Sequence, residues 1–266
     1  MFPRGRFHTL ARCLLTVAIL LVLCARCVAQ TAPASAANFR SKPNIILILA
    51  DDLGFSDLGC YGSNISTPNV DKLAKEGLKF TQFYNAARCC PSRAALLTGL
   101  YPHEAGIGQM TGRGNGLYPG NLSHNAVTLA EALQSAGYAT FIAGKWHVTP
   151  YRANSNNPNY PNARGFDQFY GIITSIRSYY NPPSLMENGR DLPPPQGDYH
   201  FTDAVTEHAV NYIKGQKPDQ PYFLYAAYSA PHFRCMRARL TLRSIGGSSK
   251  RDGMRCGSSA ISGRLN

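Results

Sequence analysis

Apolar residues along this chain fall into short unbroken runs separated by stretches of helical spacing. Asn44 to Ala50 is almost wholly aliphatic and has the length of a strand buried in a parallel sheet. It ends in Asp51-Asp52 and a loop containing Gly54. Ala139 to Ala143 is a second such run, delivering Gly144-Lys145-Trp146-His147 at its carboxyl end. Tyr222 to Tyr228 is a third, ending in Ser229-Ala230-Pro231-His232. Leu78 to Tyr84 alternates and predicts a further strand.

Between these runs the period changes to that of helices. Thr67-Pro68 predicts a hydroxyl-capped start with Pro in the first turn, an inner face of Val70, Leu73 and Ala74, and a stop at Gly77. Residues 90–97, Thr128 to Ser135 and Thr202 to Ile213 also read as helices, the last through Ala204, Val205, His208, Ala209 and Ile213. Thr149 to Asn162 and Asn181 to Tyr199 lack regular spacing and read as loops. The alternation predicts an α/β fold: a mostly parallel central sheet with helices on both faces. In such sheets ligands sit beyond the carboxyl ends of the strands. Asp51, Asp52, Lys145, His147 and His232 all fall there.

Charge needs dissection before it says anything about partners. The formal net charge is +12, but residues 1–29 hold four Lys/Arg and no acid, and residues 233–266 hold eight Lys/Arg and one Asp. The body, 30–232, is left with 15 basic and 14 acidic residues, so a broad basic footprint for nucleic acid is absent. Arg4, Arg6 and Arg12 precede the apolar run Leu14 to Leu23, and Cys27-Val28-Ala29 offers a cleavage site; the pattern predicts an export leader. That run falls well short of the ~20 residues that a membrane span needs. The chain is therefore expected in a periplasmic or extracellular compartment, with 30–42 as a tether. Of eight cysteines only Cys60, Cys89 and Cys90 lie in the body, too few for a disulfide scaffold. A buried thiol beside Cys90, or a Cys60 to Cys90 disulfide, is the bland alternative for this group.

Cys89 opens Cys89-Cys90-Pro91-Ser92-Arg93-Ala94-Ala95-Leu96-Leu97-Thr98-Gly99. This run resembles the signature of the sulfatase family, in which the Cys is oxidised to formylglycine. The resemblance extends over 43–233 and implies the alkaline-phosphatase-like α/β fold and hydrolysis of sulfuric esters. It further implies a modifying enzyme as partner, a sulfate-ester small molecule or sulfated polysaccharide as substrate, and Ca²⁺ as the metal, with Mg²⁺ possible. By the same resemblance Asp51, Asp52 and the modified Cys89 hold the metal. Arg93 balances negative charge beside the nucleophile, Lys145 contacts sulfate, His147 assists breakdown of the covalent intermediate, and His232 lies near the leaving group. Cys90 occupies the variable position of the motif and is expected to have no role. His103, in Tyr101-Pro102-His103, reads as structural, and His124, His200 and His208 have no support as site residues. A phosphonate or phosphate monoester hydrolase of the same fold, or an inactive product, is the alternative.

Beyond Phe233 the resemblance stops. Relatives continue with a metal-binding Asp-Asn pair, a later sulfate-contacting Lys and a smaller domain, whereas Arg234 to Asn266 is basic and rich in Gly and Ser. Codons for Arg251 to Gly263 exist that, read two nucleotides on, begin Gly-Trp-Asp-Ala-Val-Arg, as a frameshifted reading requires. An incomplete fold, low solubility and little turnover are the expectation for the chain as it stands.

Overall fold

Three apolar runs that the sequence marks as strands become neighbours in one sheet. The computed structural model describes residues 42–112, 119–153 and 156–232. The expected leader, the tether up to residue 41 and the tail 234–266 lie outside these residues. In chain order the strands are β1 (Ile45–Leu49), β2 (Ala139–Lys145), β3 (Gln168–Ile172), β4 (Leu185–Glu187), β5 (Arg190–Asp191) and β6 (Tyr222–Ala227). The helices are α1 (Pro68–Glu76), α2 (Cys89–Thr98), α3 (Leu129–Ser135) and α4 (Phe201–Lys214). The sheet order is β1-β6-β2-β3-β4-β5. The first four of these strands run parallel, and the β3-β4 and β4-β5 pairs are antiparallel.

Alternation within the central strands divides the core in two. Ile142, Phe223 and Tyr225 pack with Cys90, Ala94 and Leu97 of α2 and Ala130 of α3. Phe141, Ala143 and Leu224 pack on the other face with Phe201, Val205 and Ala209 of α4. Every residue of β2 and β6 is buried, as their unbroken apolar runs require.

The register brings the carboxyl ends level. Leu49 and Gly144 both stand opposite Ala227, so Asp51, Lys145 and Ser229 leave the sheet at one edge. Close backbone approach depends on two glycines. A Cβ on Gly144 (φ 121°) would lie 2.0 Å from the Ala227 carbonyl oxygen, and one on Gly171 (φ 156°) 1.7 Å from the Gly144 oxygen.

Several expectations need correction. Leu78 to Tyr84 forms no strand: Leu78, Phe80, Phe83 and Tyr84 are exposed, and no sheet pairing reaches them among the described residues. Alternation alone does not make a strand without a neighbouring edge to bond. Helix α1 forms where predicted, but Val70 and Leu73 are exposed rather than packed. Thr67 does not cap it; its hydroxyl donates to Asp71 Oδ1 at 2.8 Å and accepts from Gly59 N–H at 2.8 Å. β1 is an edge strand with Ile46 and Ile48 exposed, where its sequence predicts burial on both faces. The 181–199 stretch contains β4 and β5, and β3 has no counterpart in the pattern reading.

Candidate active site

Asp51 is 5% exposed and sits just past β1, its N–H donating to the Ala230 carbonyl at 3.1 Å. Lys145, the last residue of β2, is fully buried and places Nζ 2.5 Å from Asp51 Oδ2. Arg93, one turn into α2, approaches the other oxygen, Oδ1, at 3.6 Å. Its guanidinium also donates to the Lys145 carbonyl at 2.9 Å, the Tyr225 hydroxyl at 3.1 Å and the Tyr228 carbonyl at 3.3 Å. Arg93 thus ties α2 to the ends of β2 and β6. Two cations against one carboxylate leave this buried group with a net positive charge, a setting that favours an anion.

Cys89 is the first residue of α2, after Arg88 in extended conformation. Its sulfur, that of Cys90 and a ring nitrogen of His147 all lie within 4.8 Å of one another. The Met110 sulfur lies 4.0 Å from Cys89 Sγ and 3.7 Å from Cys90 Sγ. The Cys89 thiol is pushed well below its ordinary pKa, first by the hydrogen bond from Cys90 and then by His147 and the Lys145 charge, against the opposing effect of burial. Cys90, the donor of that bond and itself desolvated, moves up. His147 is 3% exposed, adopts φ 53° and has no hydrogen-bond partner at Nδ1. Burial holds its pKa down, with help from the Lys145 and Arg93 charges, so the ring is neutral at neutral pH.

Asp52 and His232 form the outer part. Asp52 has φ 61° and an exposed side chain, with Oδ2 3.5 Å from His232 Nε2. The cis Ala230-Pro231 bond and the Tyr179 hydroxyl shape this turn; Tyr179 donates to the carbonyls of Ser229 at 2.9 Å and His232 at 3.1 Å.

The fold therefore brings Asp51, Arg93 and Lys145 into contact, sets Cys89 against His147, and pairs His232 with Asp52. It departs from the expectation in three respects. Asp51 and Asp52, though adjacent, face different partners, and Asp51 is engaged by Lys145 and Arg93. Among the described residues the one tight cluster of possible ligands is Cys89, Cys90 and His147, which excludes both acids. Cys90 is inside that cluster, whereas its place in the motif gave it no role. All three body cysteines are free, so the Cys60 to Cys90 disulfide does not form. Tyr225, Tyr179 and Met110 carried no sequence signal, since their parts follow from register and loop path. His208 stacks on Tyr170 at 3.6 Å between ring centroids and His200 on Tyr179 at 5.5 Å.

The fold thus gathers a thiol at a helix start with buried Arg, Lys and His at the carboxyl edge of a parallel sheet, in an α/β protein. A family description, Sulfatase, matches residues 43–239, and the chain belongs to the sulfatase family. Arylsulfatase J of Mus musculus is 36% identical over 202 residues, covering 72% of this chain and 33% of that protein. The crystal structure of Ps i-CgsB with k-i-k-neocarrahexaose superposes with a TM-score of 0.67 at 33% identity, over 80% of this chain and 50% of that one. A protein solved with its substrate D-glucosamine-2-N,6-O-disulfate gives 0.60 at 32% identity, over 74% of this chain and 36% of that one. The fold is the alkaline-phosphatase-like one of sulfatases, in part. The chain spans between a third and a half of the length of these relatives.

Proposed function

We propose that this chain is the nucleophile-bearing part of a sulfuric ester hydrolase. The observation that carries the reading is the meeting of Cys89, at the start of α2, with neutral His147 beside a buried, net-positive Arg93–Lys145–Asp51 group. Converted to formylglycine by a modifying enzyme, Cys89 would supply a hydrated aldehyde as nucleophile and a second hydroxyl to release sulfate. Asp51 and Asp52 have the hard oxygen donors that Ca²⁺ or Mg²⁺ takes, and an ion held there would withdraw charge from the ester. The two side chains face different partners, however, and would have to turn together to share it. Asp51 is already matched by Lys145 at 2.5 Å, so an ion there competes with that pair.

The remaining parts belong to the chain itself. Lys145 and Arg93 neutralise sulfate oxygens and hold the ester against Cys89. His147, neutral at neutral pH, takes a proton at a ring nitrogen beside the nucleophile. His232, next to the carboxylate of Asp52, donates toward the departing ester oxygen. A sulfated carbohydrate is the favoured substrate class, supported by the disulfated glucosamine substrate of one structural relative. The amino-terminal pattern supports export, and no helix among the described residues is long and apolar enough to cross a membrane.

The test has two arms. Mass spectrometry of the Cys89 peptide, after expression with a formylglycine-forming enzyme, is expected to show the sulfur replaced by a carbonyl oxygen. Purified converted protein is then assayed on paired aryl sulfate and aryl phosphate esters with Ca²⁺ or Mg²⁺. Turnover is expected to be low, and Cys89→Ser is expected to abolish what sulfate release there is, since a serine lacks the second hydroxyl. A retained thiol, or preference for the phosphate ester, would sink the reading.

A further inference from the structure

Three of the four donors gathered at Cys89 are sulfur, and the proposed function uses Cys89 and His147 but neither Cys90 nor Met110. Cys90 is fully buried on the α2 side of the core, and its sulfur lies beside those of Cys89 and Met110 and a ring nitrogen of His147. Metal–sulfur bonds of about 2.3 Å in a tetrahedral site set donors about 3.8 Å apart. The Met110 sulfur already stands 3.7 Å and 4.0 Å from the two thiols. The three atoms of the Cys89–Cys90–His147 group, within 4.8 Å of one another, need to close by no more than about an ångström to match. His147 Nδ1 is buried without a hydrogen-bond partner, so the ring has a nitrogen that no protein group occupies. Thiolate, imidazole and thioether together select thiophilic d¹⁰ ions over the hard cations that carboxylates prefer. Two thiolates balance the charge of Zn²⁺ and outweigh that of Cu⁺, which offsets the nearby Lys145.

We propose that the unconverted chain carries a site for one thiophilic cation, Zn²⁺ or Cu⁺, held by Cys89, Cys90, a ring nitrogen of His147 and the Met110 thioether. Binding forms two metal–thiolate bonds and releases the thiol protons to solvent. Conversion of Cys89, the one point at which this rests on the proposed function, removes a ligand, so metal loading and maturation exclude each other.

Thiol protection reads this directly. The full chain with Cys89 unconverted is incubated with Zn²⁺ or with Cu⁺ under reducing conditions, pulse-alkylated, and mapped by peptide mass spectrometry. Cys89 and Cys90 are expected to be protected together by one equivalent, while Cys60, outside the cluster, stays reactive. Cys90→Ala is expected to weaken protection of Cys89 by about tenfold or more. Met110→Leu, close in volume and so less disturbing to the core, is expected to weaken protection by Cu⁺. Far-UV circular dichroism confirms that both variants are folded. Equal alkylation of Cys89 with and without either ion overturns the proposal, as does undiminished protection in Cys90→Ala. Protection in a chain that is never converted leaves this site standing while the hydrolase reading fails. Conversion without protection by either ion defeats this site alone.

Discussion

At the residue scale the decisive pair is Asp51 with Lys145. Asp51→Asn leaves Lys145, 0% exposed, and Arg93, 1% exposed, facing each other without an anion between them. An uncompensated buried charge costs about 3–5 kcal/mol, and chemical denaturation is expected to show a loss of that size. Lys145→Met removes one of the two cations, keeps Asp51 beside Arg93, and is expected to cost clearly less. Equal losses in the two variants would show that the carboxylate is not what holds this group together. The same scale fixes the reactivity of Cys89. Its pKa is lowered, so the thiolate forms above that depressed value and is lost only as pH falls through it. Alkylation of unconverted Cys89 is therefore expected to stay fast from about pH 9 down to about pH 5, below the ordinary thiol range. Peptide mapping across the pH series reports the rate at Cys89. A rate at Cys89 that falls about tenfold for each pH unit below pH 9 would remove the thiolate.

Elements explain what could be read in advance and what could not. The runs at β1, β2 and β6 were legible because strands in a parallel sheet show continuous hydrophobicity, and they deliver Asp51, Lys145, His147 and His232 by position alone. β3 was not legible: Gln168 is exposed and Gly171 interrupts it, the glycine being required by the approach of the Gly144 oxygen. β4 and β5, of three and two residues, are too short for any period to register. The place of Cys90 beside Met110 and His147 comes from the fold around it and not from the motif. Two substitutions test how these elements are held. Thr128 and Glu131 form a reciprocal cap on α3, Thr128 N–H donating to Glu131 Oε2 at 2.6 Å and Glu131 N–H to Thr128 Oγ1 at 3.0 Å. Thr128 Oγ1 also donates to the Arg164 carbonyl at 2.9 Å, so Thr128→Ala is expected to cost about 1–2 kcal/mol in a urea melt. Gly144→Ala has no comparable remedy, because the clash is with backbone of β6 at 2.0 Å and the φ of 121° is strained for alanine. It is expected to destabilise by more than the Thr128 change, and a melt unaltered by it would refute the close packing of β2 on β6.

Across the whole molecule the unequal cover of the sheet stands out. Helix α4 lies over β2, β6 and β3, while β1 at the sheet edge leaves Ile46 49% and Ile48 60% exposed. Ile45, Leu47 and Leu49, on the opposite face, pack against the core that holds α2. Among the described residues β1 pairs on one side only, and an edge strand with two exposed isoleucines is a template for pairing with another chain. The expectation of low solubility therefore has a definite location. Ile46→Thr with Ile48→Thr keeps β-branched side chains on the strand and removes apolar surface from a face that contributes little burial. The double variant is expected to unfold within about 1 kcal/mol of the parent and to give a larger monomer fraction by light scattering at equal concentration. The same pair of changes at Ile45 and Leu47 would instead open the α2 side of the core. Those variants are expected to lose stability and disturb Cys89, so alkylation of Cys89 distinguishes the two faces of one strand. A monomer fraction unchanged by Ile46→Thr/Ile48→Thr would move the source of association away from β1.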